Sequence, residues 1–386
     1  MKGYLFISNS SKPNEEKLNS REKIVCGNVS RPCITAAIDM GYKAFLGVNR
    51  NRPEELECSL PVTLFDAHTY RSLTDFKSNY TAYKNLMKVH KNNSIEVIHC
   101  NTPIGGMLGR ICGKLCGVKK VIYTAHGFHF YKGAPLFNRT ILKWAEHLMA
   151  HFTDAIITMN KEDFDNANKM KLRKNGKVFF VHGVGIDLNI FNSVEVDVQA
   201  KRAELGLKEE DVVLISMGDL IKRKNYVVAI KAIAKLNNKN VHYLICGRGP
   251  ELDNLKALSE ELGVSEQIHF LGFRSDIKEL TKISDVFLFT TLQEGLPRSM
   301  MEAMASGLPC IASKIRGNVD MIEDGVNGFL CNPTDVEGFA EAIGKVVSDS
   351  ELRESMKSAN LEKIKEYDVS VVEKEIREIY QEVLNK

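Results

Sequence analysis

The sequence predicts an α/β protein made of two Rossmann-like, doubly wound parallel-sheet domains. Three observations lead there. The chain has 386 residues, too many for one typical hydrophobic core. Short apolar runs alternate with helical patterns from end to end, as parallel strands covered on both faces require. The alternation pauses once, at HGVGIDLNIF and the polar stretch up to Asp211, and then restarts.

In the first half the apolar runs are GYLFIS, KAFLGV, VTLF, EVIHC, KVIYTAH, DAIITM and KVFFVHGV. Helices are predicted between them over 75–91, 106–116, 138–151 and 161–171. In the second half the runs are VVLISMGD, VHYLICGRG, QIHFLGF, DVFLFTTL and LPCIAS. Helices are predicted there over 226–236, 251–262, 275–283 and 296–306. The hinge falls within 184–197. This gives a first domain over 1–185 and a second over 186–366. A terminal helical stretch, 367–386, is interrupted at 367–370 and can pack back on the first domain.

Composition narrows the function. Hydrophobic residues make up 44% and charged residues 26%, the profile of a soluble globular protein. A net charge of +3 lacks the concentrated basic surplus of a nucleic-acid binder, so no nucleic-acid partner is expected. The nine cysteines are odd in number and irregular in spacing, which fits neither a disulfide framework nor a zinc site. Those in VIHC and YLIC read as small buried hydrophobes, and the compartment as reducing, hence cytoplasmic. The N-terminal MKGYLFISNSSKP reads as a strand rather than a signal peptide. No stretch approaches the roughly 18 apolar residues that span a bilayer, so any membrane contact is peripheral.

The most informative run is FLFTTLQEGLPRSMMEAMASGLPCIAS. A buried strand leads into a Glu-Gly turn, a helix beginning near Pro297, and then a further strand. Ligands in open parallel sheets sit beyond the carboxyl ends of the strands. Backbone N–H groups at Gly295, Leu296 and the first helical turn, with the helix dipole, make a phosphate site there. Gly295 lets the backbone approach a ligand closely. Glu294 at the strand end can accept hydrogen bonds from sugar hydroxyls. Glu302, eight residues on and about two turns into the helix, can accept them from a ribose.

This E-x7-E within EGLPRSMMEAMASGLP resembles the signature of glycosyltransferase family 4, a retaining family with the GT-B fold of two Rossmann-like domains facing a central cleft. The resemblance implies that Glu294 contacts the transferred sugar and Glu302 the nucleotide ribose. Upstream, ISMGDLIKRKN places Lys224 six residues after Gly218, a spacing similar to the family's. Lys224 would then hold the diphosphate as it leaves. Asp219 stands where many relatives carry arginine, which leaves the second phosphate cation to Lys222 or Arg223, or absent. Gly247 and Gly249 in ICGRGPE are implied near the nucleotide, or else form a plain helix-entry turn; Leu252 stands in place of the third glycine of a dinucleotide fingerprint. The backbone of Phe273 and Arg274 in FLGFRSD is implied near the base, with a structural turn as the alternative.

In the first half the resemblance implies that His126, in KVIYTAHGFHFYKG, touches the donor sugar. The glycines of NTPIGGMLGR admit a ligand or only permit tight helix packing. The aromatics Phe128, Phe130, Tyr131, Phe137 and Trp144, interleaved with Lys132, Arg139 and Lys143, make either a peripheral membrane or lipid-acceptor surface or part of the core. Asp163-Phe164-Asp165 spells the D-x-D of metal-dependent transferases, but on a helix its two acids diverge around the axis. No metal site and no cofactor are expected.

The TAHGFHFYKGAP segment resembles bacterial transferases that build capsular or extracellular polysaccharide. By that resemblance the expected donor is a nucleotide sugar, UDP-linked, and the acceptor a lipid-linked or free saccharide hydroxyl. Peripheral contact with the cytoplasmic face of the inner membrane follows from such an acceptor. Two rivals remain: a sugar-nucleotide epimerase of similar architecture, which needs no acceptor, and a catalytically dead nucleotide-sugar-binding subunit.

Overall fold

The computed structural model describes residues 2–385. The chain divides into two compact units, Met1–Gly185 with Val369–Lys386, and Ile186–Asp368. Each is a parallel sheet with helices on both faces.

The first unit has seven strands: β1 (Gly3–Ile7), β2 (Lys43–Val48), β3 (Thr63–Asp66), β4 (Ile95–Asn101), β5 (Lys120–Ala125), β6 (Ala155–Thr158) and β7 (Lys177–Phe180). Their order is β3-β2-β1-β4-β5-β6-β7, all parallel. The winding reverses between β1 and β4, the topological switch point. Every residue of β1 is buried, as a strand covered on both faces must be. Polar caps start several helices: the Asp75 and Asn160 side chains accept hydrogen bonds from the N–H groups of Ser78 and Asp163. One helix the apolar runs do not announce, Arg31–Asp39, packs against β2 and the last helix, Val369–Leu384.

That last helix is pinned by a buried polar chain. The Tyr380 hydroxyl meets the Tyr4 hydroxyl at 2.6 Å and His99 Nδ1 at 2.6 Å, while His99 Nε2 meets Thr124 Oγ1 at 2.7 Å. Each buried polar group has a partner, so burial carries no desolvation penalty for an unmade bond. Burial pushes the His99 pKa down to about 3, so the ring is neutral. The chain joins the first unit at Val369, two residues beyond the sequence boundary at 367, because Tyr367 belongs to the core of the second unit.

The second unit has six strands: β8 (Val212–Met217), β9 (Val241–Cys246), β10 (Ile268–Gly272), β11 (Val286–Phe289), β12 (Cys310–Ser313) and β13 (Gly328–Cys331). Their order is β10-β9-β8-β11-β12-β13, and the switch point lies between β8 and β11. The sequence predicts five of these. β13 escapes it because GFLC is four residues long and lies at the sheet edge, half-exposed at its centre. Two apolar clusters cover the two sheet faces, one led by Val213, Phe287 and Met300, the other by Leu214, Tyr243 and Phe339.

Candidate active site

The carboxyl ends of β8 and β11 meet at the switch point of the second unit, and most of the predicted site residues gather there. Gly218 follows β8 directly. Its φ of +153° suits glycine, and a Cβ would lie 3.3 Å from Lys224 Cε. The next loop, Lys222–Lys224, is fastened to the end of β11. Asn225, in the left-handed region at φ +55°, donates from Nδ2 to the carbonyls of Thr290 (3.1 Å) and Pro333 (2.8 Å). The Thr290 hydroxyl donates back to the Asn225 carbonyl at 2.9 Å, and the Leu292 N–H to the Arg223 carbonyl at 2.8 Å.

This stitching brings two cations onto one carboxylate. Glu294 Oε1 accepts from Lys224 Nζ at 2.8 Å, Arg223 Nη1 at 2.8 Å and Thr291 Oγ1 at 3.1 Å. Lys224 also lies over the Phe289 ring, 4.8 Å from its centroid, and is largely buried. Arg223 thus supplies a second positive charge beside Lys224, on the same carboxylate oxygen. Arg316, unmarked by any sequence motif, sits almost fully buried and donates from Nε to the Glu294 carbonyl at 3.0 Å. Gly317 follows at φ +81°, where a Cβ would lie 2.3 Å from the Gly295 carbonyl oxygen.

The helix after the turn runs Arg298–Ala305, with Pro297 as its N-cap. Pro297 therefore precedes the first helical turn rather than opening it. Glu302 is also nearer the helix start than the sequence predicts: it lies about one turn in, roughly 6 Å along the axis from Arg298. Its Oε1 accepts from Arg298 Nε at 3.0 Å. Gly295 and Leu296 form the turn between Glu294 and Pro297, and among the described residues no hydrogen-bond acceptor meets their N–H groups. A helix start of this kind favours an anion.

Gly247 and Gly249 have a structural reason that the sequence leaves open. A Cβ on Gly247 would lie 1.9 Å from the Gly218 carbonyl oxygen, and one on Gly249 2.3 Å from that of Leu220. The loops after β8 and β9 are laced by backbone bonds: Gly218 N–H to Cys246, Leu220 N–H to Arg248, and Glu251 N–H to Leu220. Only glycine permits that approach. Phe273 is exposed just past β10, with the Arg248 guanidinium 5.7 Å from its ring centroid. Arg274 is engaged by Asp276 at 2.5 Å and Glu204 at 3.6 Å. The hydrogen bond from Arg274 holds the Asp276 carboxyl well below the usual carboxylate range. The Arg274 side chain is thus occupied, while the Phe273 ring stays exposed.

His126 belongs to the first unit, just past β5. Its Nε2 lies 2.9 Å from Asn101 Oδ1 at the end of β4. Burial, with Arg71 nearby, lowers its pKa to about 4, so it is a neutral hydrogen-bonding group at pH 7. Asp163 accepts from the Phe128 N–H at 3.1 Å and from Asn160 Nδ2 at 2.8 Å, which fixes the loop carrying His126. Asp163 is fully buried in that structural role. Phe128 and Phe130 are core residues, stacked at 4.8 Å, whereas Phe137 and Trp144 are exposed. The aromatic group, read from sequence as either a surface or part of the core, is therefore split between the two.

Known proteins resemble this chain along most of its length. The family described as "Glycosyl transferases group 1" matches residues 197–363, and "Glycosyl transferase 4-like" matches 48–160. EpsD of Bacillus subtilis (strain 168), described as a glycosyltransferase, is 36% identical over 279 residues, covering 71% of this chain and 73% of EpsD. The Escherichia coli UDP-Gal:alpha-D-GlcNAc-diphosphoundecaprenol alpha-1,3-galactosyltransferase is 29% identical over 320 residues, 81% of each chain. Among solved structures, Anabaena HepE in complex with UDP and glucose superposes with a TM-score of 0.75 at 20% identity, covering 99% of this chain and 100% of HepE. That likeness establishes the GT-B fold.

Proposed function

From the premise that the chain belongs to glycosyltransferase family 4, we propose that it moves a sugar from a UDP-sugar to a hydroxyl of a lipid-linked saccharide, with retained anomeric configuration, in surface polysaccharide synthesis. The observation that carries the reading is the convergence of Lys224, Arg223 and Glu294 at the β8–β11 switch point, beside a helix start. A diphosphate placed there competes with the carboxylate for both cations. Donor binding then frees Glu294 to meet the sugar hydroxyls. Glu302 takes the ribose, and His126 meets the sugar as a neutral ring.

In the transfer, the bond from the anomeric carbon to the diphosphate breaks and the acceptor oxygen bonds to that carbon on the same face. The acceptor proton passes to the departing phosphate oxygen. Lys224, Arg223 and the helix start stabilise the charge that develops on the diphosphate. These fixed cations supply the role a divalent metal plays elsewhere, so turnover should persist in EDTA. A lipid-linked acceptor is supported by the diphosphoundecaprenol in the Escherichia coli relative's name. An acceptor of that kind supports a position at the cytoplasmic membrane face. Among the described residues no helix is long and apolar enough to cross a membrane, so the attachment proposed is peripheral.

The test pairs a panel of nucleotide sugars, scored by thermal stabilisation, with transfer of the best one to undecaprenyl-diphosphate saccharides. A stabilising UDP-sugar and an acceptor-dependent product with retained configuration are expected. An epimerised sugar from donor alone, or stabilisation without turnover on any acceptor, overturns the reading.

A further inference from the structure

We propose that residues 136–148 of the first unit form the face that seats this protein on an anionic phospholipid bilayer. This rests on the lipid-linked acceptor reading for the choice of partner, and otherwise on the residues themselves.

The segment is a continuous helical stretch, a π-helical turn Asn138–Leu142 running into the helix Lys143–Ala150. Phe137, Ile141, Trp144 and Leu148 follow one another at steps of four, three and four, which puts them in one row along the helix. Such a row ordinarily faces a core. Here all four are exposed, from 39% for Leu148 to 66% for Trp144, and Leu136 beside them is 75% exposed. The helix is anchored instead by its polar side. Glu146 turns inward onto the buried Arg110 at 2.8 Å, and Arg110 stacks on Tyr123 at 4.0 Å. An ion pair holds the helix down while its apolar row points outward, the reverse of an ordinary surface helix.

Around the row the cations outnumber the carboxylates. Between Tyr131 and His151 the sequence holds a single carboxylate, Glu146, which is occupied by Arg110. Lys132, Arg139 and Lys143 are exposed, and among the described residues none forms an ion pair. They border a pocket of about 440 Å³ together with Leu136, and Glu162 at its rim accepts from the Lys132 backbone N–H at 2.8 Å. Cations around an open recess, with aliphatic and indole groups alongside, match a phospholipid: anionic headgroup against the cations, acyl chain against the apolar row. A second copy of this chain fits less well. A two-fold interface would set the same three cations against themselves.

The experiment uses the full chain with vesicles of phosphatidylcholine, alone or mixed with phosphatidylglycerol. Trp144 is the only tryptophan in the sequence, so its emission reports directly on this face. The expected result is a blue shift and co-sedimentation with the phosphatidylglycerol vesicles, both weakened by salt. Phe137→Ser with Ile141→Ser should abolish binding. Arg139→Gln with Lys143→Gln should weaken it by about 25-fold, about fivefold per charge. Thermal stabilisation by the UDP-sugar should be unchanged in both variants, which shows that they fold and keeps the two readings separate. Vesicle binding without any nucleotide-sugar binding would remove the proposed function and leave the docking face standing. An unshifted Trp144 in a protein that binds its UDP-sugar overturns the docking face, as does a dimer that buries Trp144 in place of vesicle binding.

Discussion

The two sheets have the same doubly wound plan, yet their carboxyl edges are built differently. In the second unit the loops after β8, β9 and β11 are laced backbone to backbone, and the polar side chains at the Glu294 turn are paired. In the first unit the edge after β1 and β4 holds buried polar atoms without partners, Asn9 Oδ1 and Asn101 Nδ2, and a threonine, Thr102, at φ +64°; in the second such atoms, Ser313 Oγ and Asn318 Oδ1, lie at the end of β12 and beyond it, and its one positive-φ non-glycine at the seat, Asn225, is held by two hydrogen bonds. A cavity of about 760 Å³ opens beside Asn9, bordered by Lys12, Lys17 and Arg50. Unsatisfied buried groups and positive-φ residues cost stability and persist where the surroundings enforce them. One edge is thus laced around glycines into the anion seat proposed above; the other keeps hydrogen-bonding capacity in reserve next to an open cavity.

The sharpest way to break this comparison is Lys224→Ala. It removes one of two cations from the seat and should lower kcat about 100- to 1000-fold in a transfer assay, with an unchanged circular dichroism spectrum. A normal rate would mean the anion seat is not where the chemistry occurs. Next comes Gly247→Ala. Its Cβ would meet the Gly218 carbonyl at 1.9 Å, so the lacing must give way, and urea unfolding of the second unit should show a loss of about 2 kcal/mol. Unchanged stability would show that the loops are not rigid. Glu302→Ala should raise the UDP dissociation constant about tenfold in calorimetry while leaving kcat at saturating donor nearly intact. A fall in kcat alone would move Glu302 from ribose to reacting sugar.

The smallest effect lies in the first unit and depends on pH. His99 and His126 have pKa values lowered by burial to about 3 and about 4, against about 6.5 when unfolded. Below pH 6.5 the unfolded chain takes up protons that the folded unit refuses. Stability is therefore complete above that value and falls as pH drops toward 4. Between pH 7 and 6 each histidine should account for somewhat under 1 kcal/mol, read by urea unfolding. His99→Gln should flatten the profile. In the second unit only His269 is lowered among the described histidines for which a shift is resolved, so its midpoint should move less.

Much of this was legible because the signals are local. The alternation of apolar runs marks twelve of the thirteen strands, since a strand buried on both faces must be apolar throughout. Gly218, Lys224, Glu294 and Glu302 stand in short segments where strand, turn and helix follow directly. Arg316 and Gly317 do not; they arrive from beyond β12, and only the fold sets them beneath Glu294 and Gly295. The reading of Phe128, Phe130, Phe137 and Trp144 as one group failed for a related reason. Sequence proximity does not decide which face of a loop or helix meets the core.

By itself, then, the sequence determined the fold class, the two units and the strand–turn–helix segment where the anion site is proposed, because periodicity, glycine and helix starts act within a few residues. Tertiary structure alone decided that Arg223 shares a carboxylate with Lys224, that Gly247 and Gly249 serve backbone packing, and that an apolar row faces outward over a buried ion pair. Those outcomes depend on which long-range neighbours arrive, and a buried charge or a close backbone approach exists only once they have.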